Sequence, residues 1–437
     1  MILRLESSAS RWVFFVTSFL LAAPLSYFSL RSAWAEHLAE SGTREALERA
    51  TQLEPGDARN WYLLGRDFQY NLEAPDNARA IAAYRQALSF DPRSPAVWLD
   101  LAEAHEAQGD LASARDAFLE AERSYPISAE AAWRYGNYLL RQGEFAAAFT
   151  AIRRAVEEEP GRAAEATSRC WRANPDIQMI LDTALPASRN VYLDGIGVLA
   201  RGKATDAALA VWSRLVRLHP KIELKEAYPF LEVLIQQREL AGARTVWNQA
   251  LELSGAAWPA DPSGSLIFDG GFETDTTGGG FAWRIQPRGA EVGYDGHVKH
   301  SGSRSLSVRF DGTQNVAFDG VCQYVPVDPR TSYQFSAWIR AEAVTTDRGV
   351  SMRLLTPESL KNPPLFTPDL KGTEPWTQVT LPWRAEKDVH LLQVCVTRAP
   401  SRKFDNKIAG TVWLDDVSLV PAPPEHARAQ SAQKDKP

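Results

Sequence analysis

Residues 95–126 read PAVWLDLAEAHEAQGDLASARDAFLEAERSYP, and this stretch decides the fold of the first half of the chain. Trp98, Leu101, Ala102 and His105 recur at steps of three and four, and so do Ala114, Phe118 and Ala121. Such steps place apolar groups on one helix face, so the stretch predicts two amphipathic helices. Ala102 and Ala114 are small enough to let those helices approach closely. Pro126 stops the second helix, because proline lacks the amide donor and clashes with the preceding turn. Trp98 and Phe118 read as packing residues, and His105 as a core histidine rather than a metal ligand.

Working outward, the pattern returns with a period of about 34 residues. The copy upstream carries Trp61, Leu64, Gly65, Phe68, Ala80, Tyr84, Ala87 and Pro92, with a lengthened loop at NLEAPDN. The copy downstream carries Tyr135, Gly136, Leu139, Ala148, Ile152, Ala155 and Pro160. Leu47, Ala50 and Pro55 mark a partial copy whose first helix is expected from Arg31 to Glu40. Divergent copies follow at Tyr192, Leu199, Ala208, Trp212 and Pro220, and at Leu231, Leu234, Ala243, Trp247 and Ala250. Between Gly161 and Arg189 the phase is lost, although SRCWRANPDIQMIL still reads as partly helical. This array resembles the tetratricopeptide family, most specifically from Trp61 to Pro160. The resemblance implies an α-solenoid over 35–254 whose concave face docks a protein partner.

The texture changes at the Pro/Gly/Ser run near 255–264. Beyond it, stretches such as SYQFSAWIRA (332–341) and TVWLDDVSLV (411–420) alternate apolar and polar residues between Asp-Gly turns. About eight or nine such strands over 265–420 predict a two-sheet antiparallel sandwich, a jelly roll. Its opening LIFDGGFE (266–273), middle HSGSRSLSVRF (300–310) and close VWLDDVSLV (412–420) resemble the galactose-binding-like jelly roll of many carbohydrate-binding modules. That resemblance implies a structural calcium ion held by Glu273 and Asp416 or Asp415, with backbone around Lys299 to Ser303. The other reading is that these carboxylates pair with Arg304 or accept turn amides.

A sugar site needs an aromatic platform beside polar groups. Alternation along 332–341 sends Tyr333, Phe335, Ala337 and Ile339 one way and Gln334, Ser336, Trp338 and Arg340 the other. Trp338 and Arg340 are therefore expected on a glycan face, joined by Gln323, Arg353, Arg398 and Asn315. An arginine-lined face suits an acidic polysaccharide, because guanidinium holds carboxylate at two points. The alternative is that Trp338 is core and the arginines are solvated or ion-paired. Trp283 reads as a packing residue.

At the other end, residues 12–30, WVFFVTSFLLAAPLSYFSL, carry no charge. At ~1.5 Å per residue they just span a hydrocarbon core of ~30 Å. Arg4 and Arg11 before them predict a cytoplasmic N-terminus over 1–34 and an exported body. Ala33-Trp34-Ala35 also has the form of a signal-peptide cleavage site; the uncleaved anchor is preferred, because helical sequence runs straight on. Cys322 and Cys395 fall in strand-like runs. They are expected as buried free thiols, with pairing in an oxidising compartment as the alternative. The net charge of −6 has no basic domain behind it, which makes nucleic acid a poor partner. No nucleophile elbow, HExxH, phosphate loop or CxxC occurs, so no enzyme is expected. The tail 421–437 reads as disordered.

The whole predicts a multidomain α + β chain: a single-pass anchor in a bacterial cell membrane, a solenoid, and a sandwich in the periplasmic space. It is similar in organisation to uncharacterised proteins of bacterial exopolysaccharide clusters. That similarity implies an accessory of polysaccharide assembly or export. The competing expectation is a purely structural scaffold whose sandwich covers the last solenoid helix, and the remote one a glycan-active enzyme.

Overall fold

The computed structural model describes residues 8–255, 264–275, 277–358 and 362–422. Most of the expected linker and tail, and the N-terminal residues before Ser8, lie outside the described residues. The chain divides into two compact units, Met1–Val191 and Tyr192–Pro437.

The first unit opens with α1 (Ser8–Ser41), one unbroken helix. Residues such as Trp12, Phe15, Phe19, Leu20 and Leu25 are exposed on it, and by length and composition it is able to cross a membrane. From Arg31 onward its character changes. Ala35 and Ala39 are buried, and Arg31 reaches Glu54 with Nε at 2.9 Å and Nη2 at 3.1 Å. The end of α1 thus serves as the first helix of a pair with α2 (Arg44–Leu53), as the periodicity predicts.

Three complete pairs follow: α3 (Ala58–Tyr70) with α4 (Asn77–Phe90), α5 (Pro95–Ala107) with α6 (Leu111–Ser124), and α7 (Ala129–Arg141) with α8 (Phe145–Glu158). The small residue of each first helix has a steric reason. A Cβ on Gly65 would sit 2.5 Å from Tyr84, and one on Gly136 would sit 2.7 Å from Ile152. The repeat tryptophans have a polar task too. Trp61 Nε1 donates to Pro55 O and Trp98 Nε1 to Pro92 O, both at 2.9 Å, tying each first helix to the turn before it. Trp98 is accordingly half-buried, whereas Phe118 is fully buried.

The loss of phase after Gly161 also has a structural cause. A 3-10 turn (Pro160–Arg162) leads into α9 (Ala163–Ala173). The second helix of that pair is only a short α10 (Ile177–Met179) that widens into a π-helical turn (Ile180–Ala184).

The boundary between the units falls within α11 (Arg189–Arg201), and α12 (Thr205–Arg217), α13 (Leu224–Gln236) and α14 (Leu240–Ser254) belong to the second unit. These helices and the sandwich belong to the same compact unit.

Ten strands follow among the described residues: β1 (Arg284–Ile285), β2 (Glu291–Asp295), β3 (Ser305–Asp311), β4 (Phe318–Pro326), β5 (Ser332–Val344), β6 (Ser351–Leu355), β7 (Leu365–Phe366), β8 (Gly372–Arg384), β9 (Leu391–Arg398) and β10 (Ala409–Pro421). They form two five-stranded antiparallel sheets, ordered β1-β4-β9-β6-β7 and β2-β3-β10-β5-β8. The core between them is built from alternating residues such as Phe335, Ala337 and Ile339 of β5, Val394 and Val396 of β9, and Val412 and Leu414 of β10. Trp283 joins that core, as expected.

Helices α13 and α14 pack on the segment entering the sandwich. Trp247 meets Phe268 edge to face at 5.2 Å and Phe281 at 5.9 Å. Glu232 takes the Gly280 amide at 2.9 Å and the Arg284 guanidinium. Gly279 lies flat on Tyr228, where a Cβ would come within 2.5 Å.

The cysteine expectation is corrected. Cys322 and Cys395 form a disulfide, because β4 and β9 place them directly opposite one another, with Cα atoms 4.1 Å apart. Cys170 is the free, buried cysteine, and burial pushes its thiol up to about 12.

Candidate ligand-binding surfaces

On the helical unit, first helices of successive repeats share a polar stripe. Asp100 of α5 accepts from Tyr62 Oη of α3 at 3.0 Å and from Arg134 Nη2 of α7 at 2.8 Å. Arg134 Nε also reaches Glu103 at 2.7 Å, and Tyr70 Oη reaches Glu103 at 3.1 Å. The stripe continues through Arg141 on Glu106 and through Arg169 on Asn137 at 2.8 Å. Burial, then the Asp100 charge, pushes the Tyr62 hydroxyl up to about 12. Burial works against the Arg134 charge, but Glu103 and Asp100 outweigh it and hold that pKa above its ordinary value. Arg66 and Tyr70 stand at the edge of this network and remain largely exposed.

The sandwich presents two outer faces. On β5, Trp338 and Arg340 lie on the outer face of the sheet β2-β3-β10-β5-β8, opposite in parity to Phe335 and Ile339, as the alternation predicts. Their groups are largely engaged. His300 lies on Trp338 with ring centroids 3.9 Å apart, and Trp376 stands edge-on to His300 at 5.7 Å. Arg340 lies over Trp413 at 5.4 Å and pairs with Glu342 at 3.4 Å. Trp413 Nε1 donates to Asp295 at 2.9 Å. Asp295 also accepts the His297 and Val298 amides; the His297 amide first, then the indole, hold its pKa below the usual carboxylate value.

The other four expected sugar contacts do not join that face. Gln323 shares the inner parity of Val321 and Val325, and its amide clamps the Phe268 backbone, accepting from N at 2.9 Å and donating to O at 2.8 Å. Arg398 is 2% exposed and is consumed by loop acceptors. It donates to Arg348 O at 3.2 Å, Thr346 Oγ1 at 3.3 Å, Asn315 Oδ1 at 3.1 Å and Val316 O. Burial holds its pKa below the ordinary arginine value. Asn315 completes the same knot by bridging to Ser401 N and O, both at 2.9 Å. Arg353 lies on the opposite sheet.

That opposite face has its own order. The register places Arg284, Cys322, Cys395, Arg353 and Phe366 in one row across β1, β4, β9, β6 and β7. The next row holds Tyr324, Gln393 and Leu355. Arg284 lies over the Tyr324 ring at 4.5 Å while paired with Glu232. Arg353 Nη2 touches Cys395 Sγ at 3.4 Å, and its Nε is buried with no hydrogen-bond partner. The sequence held a signal for Tyr324 and Gln393: each sits two residues from a cysteine and so on the same side of its strand.

The residues expected to hold calcium do converge, but on donors. Glu273 accepts Ser303 N at 2.9 Å and Ser303 Oγ. Asp415, fully buried, accepts the amides of His300 at 2.8 Å, Ser301 at 3.1 Å and Asp416 at 2.8 Å. Burial raises its pKa, and those amides pull against the rise. Asp416 accepts His300 Nδ1 at 2.6 Å and Ser301 Oγ at 2.7 Å. Lys299 Nζ takes the Ser303 carbonyl at 3.2 Å. In this structure these oxygens accept the amides and hydroxyls of the 299–303 turn. Among the described residues no three His, Cys, Asp or Glu side chains converge as a metal set.

The chain is thus a repeat solenoid joined to a β-sandwich. Residues 68–126 and 99–163 match the tetratricopeptide repeat family. Among solved structures, the chain is similar to YrrB, a tetratricopeptide protein with an unusual peptide-binding site, at 16% identity over 49% of this chain and 95% of that one (TM-score 0.27). It is also similar to a CBM4 structure, at 16% identity over 36% of this chain and 99% of that one (TM-score 0.27). A third likeness is to the Clostridium thermocellum xylanase 10B CBM22-1–GH10 modules complexed with xylohexaose, at 16% identity over 32% of this chain (TM-score 0.24); the match spans 26% of that chain. No curated protein matches the sequence.

Proposed function

We propose that this chain is a membrane-tethered, extracytoplasmic binding scaffold that serves cell-surface polysaccharide assembly or export. Its first helices dock a protein partner along the Tyr62–Asp100–Arg134 stripe, and its sandwich binds glycan. The observation that carries the glycan half is the outer face of β1-β4-β9-β6-β7. There the Tyr324 hydroxyl and the Gln393 side-chain amide make no hydrogen bond among the described residues, beside the half-buried Arg353 guanidinium and a Phe366 ring that is 51% exposed. Aromatic surface beside unspent polar groups is what a sugar ring and its hydroxyls need. The Cys322–Cys395 disulfide supports an oxidising compartment, and the apolar α1 supports the tether.

The test is affinity electrophoresis of the full chain, held in detergent, through gels containing acidic and neutral polysaccharides. Retardation by at least one is expected; none would remove the glycan half.

A second reading has an observation in its favour. The contacts of Trp247 with Phe268 and of Glu232 with Arg284 join α13 and α14 firmly to the sandwich, as a purely structural scaffold requires. Under that reading the sandwich completes the last helices and binds only protein.

A further inference from the structure

We infer that the Arg353 face is built for a carboxylate-bearing sugar, a hexuronate unit of an acidic polysaccharide. This rests on the glycan half of the proposed function and names its site and ligand class.

The argument starts from how the arginines of the sandwich are spent. Arg284, whose Nη1 is also buried without a hydrogen bond, has its charge paired with Glu232; Arg304 is paired with Asp275 at 2.8 Å, and Arg340 with Glu342. Arg398 is buried among carbonyl, amide and hydroxyl oxygens. Arg353 has no carboxylate within 4 Å among the described residues, and its contact is with Cys395 Sγ, a weak acceptor. A guanidinium held half-buried on a sheet, with one nitrogen out of water and unpaired, carries an uncompensated desolvation cost. An anion pairing with the guanidinium from the open side of the sheet offsets that cost through the charge, above a row that holds the disulfide and Phe366, with Leu355 in the next row.

The neighbours select the kind of anion. Strands lie ~4.8 Å apart, so Phe366 and Cys395 flank Arg353 across the sheet, with Gln393 one diagonal step away and Tyr324 beyond it. A carboxylate takes the guanidinium fork at two points. A pyranose ring then has the exposed Phe366 surface to lie on, and its hydroxyls have the Gln393 amide and Tyr324 hydroxyl. The Trp338 face offers the opposite environment, with its cation already neutralised and Asp295, Glu342 and Asp416 close by.

The experiment uses the full chain in detergent. Affinity for polygalacturonate, alginate and hyaluronan is compared with that for galactan and a soluble β-glucan, and with poly-glutamate as the peptide counterpart. At least one uronate polymer is expected to bind, with at least a tenfold loss in Arg353→Gln, a partial loss in Arg353→Lys, and no loss in Arg340→Gln. Melting temperature checks that each variant folds. If Arg353→Gln does not fold, competition of the wild-type chain by free galacturonate against galactose replaces it, and only galacturonate is expected to compete. Binding of neutral glycan alone, or uronate binding indifferent to Arg353, overturns the inference and leaves the glycan half standing. Poly-glutamate binding more tightly than every uronate polymer overturns the sugar class. Absence of any glycan binding removes both.

Discussion

His300 lies flat on Trp338, their ring centroids 3.9 Å apart and their planes at 16°. The imidazole is held there by Asp416, which takes Nδ1 at 2.6 Å. One face of the indole is therefore covered by the protein's own ring. Trp338→Ala is expected to cost about 2–3 kcal/mol of stability, below the range for a fully buried tryptophan. Urea unfolding measures this. Polysaccharide affinity in the same variant is expected to stay within twofold of the parent chain.

The disulfide joins residues 73 apart in sequence, and the enclosed loop holds β5 and β8 of the facing sheet. Closing so long a loop restricts the unfolded chain by roughly 4 kcal/mol in the chain-entropy account. A Cys322→Ser, Cys395→Ser chain is expected to lose about 2–4 kcal/mol, read as a lower denaturant midpoint. A reductant added to the parent should approach the same midpoint.

His105 is 5% exposed, with Arg85 Nη2 at 3.4 Å from Nε2 and Asp110 Oδ2 at 3.2 Å from Nδ1. Burial, then Arg85, holds its pKa below the ordinary value, against the pull of Asp110. The unfolded chain thus takes up this proton first as pH falls below about 6.5. The stability it contributes is present above that value and is lost as pH falls through the folded pKa. Thermal melts of the chain from pH 8 to 5 should show the decline, and His105→Gln should flatten it. A decline unchanged in the variant would assign it elsewhere.

Asp100 is the hub of the stripe, holding Tyr62 and Arg134 with its side chain nearly buried. Asp100→Ala leaves Arg134 with Glu103 alone and is expected to cost about 2–3 kcal/mol. Adding Arg134→Met should cost less than the sum of the two single changes. A double-mutant cycle by chemical unfolding reads that coupling.

Much of this architecture was legible because it follows from periodicity. Gly65, Ala102 and Gly136 mark the close helix crossings, and the alternation of β5 by itself assigns Trp338 and Arg340 to one face. Other features depend on partners far off in sequence. Gln323 reads as an outward polar residue, yet it faces inward because the Phe268 backbone, 55 residues earlier, needs both a donor and an acceptor there. Arg398 reads as a surface cation, yet three loops close over it and supply its oxygens. The pairing of Cys322 with Cys395 was open in the sequence, because it depends on the register of two strands whose residues are 73 apart. Arg353 reads as a neighbour of Trp338, yet it lies on the opposite sheet, since sheet order is a tertiary fact.

The uninterrupted α1 gives the first repeat more than an attachment point. No turn intervenes between Leu30 and Ala35, and Ala35 is already a wall of the first repeat, 1% exposed. Pro24 lies inside the same helix, between its apolar half and Arg31, and removes a backbone hydrogen bond there, so the apolar half bends at that point while the stretch from Arg31 onward stays fixed to α2. Without the segment up to Ala35, Glu54 would lose the Arg31 guanidinium that ties the end of α1 to α2.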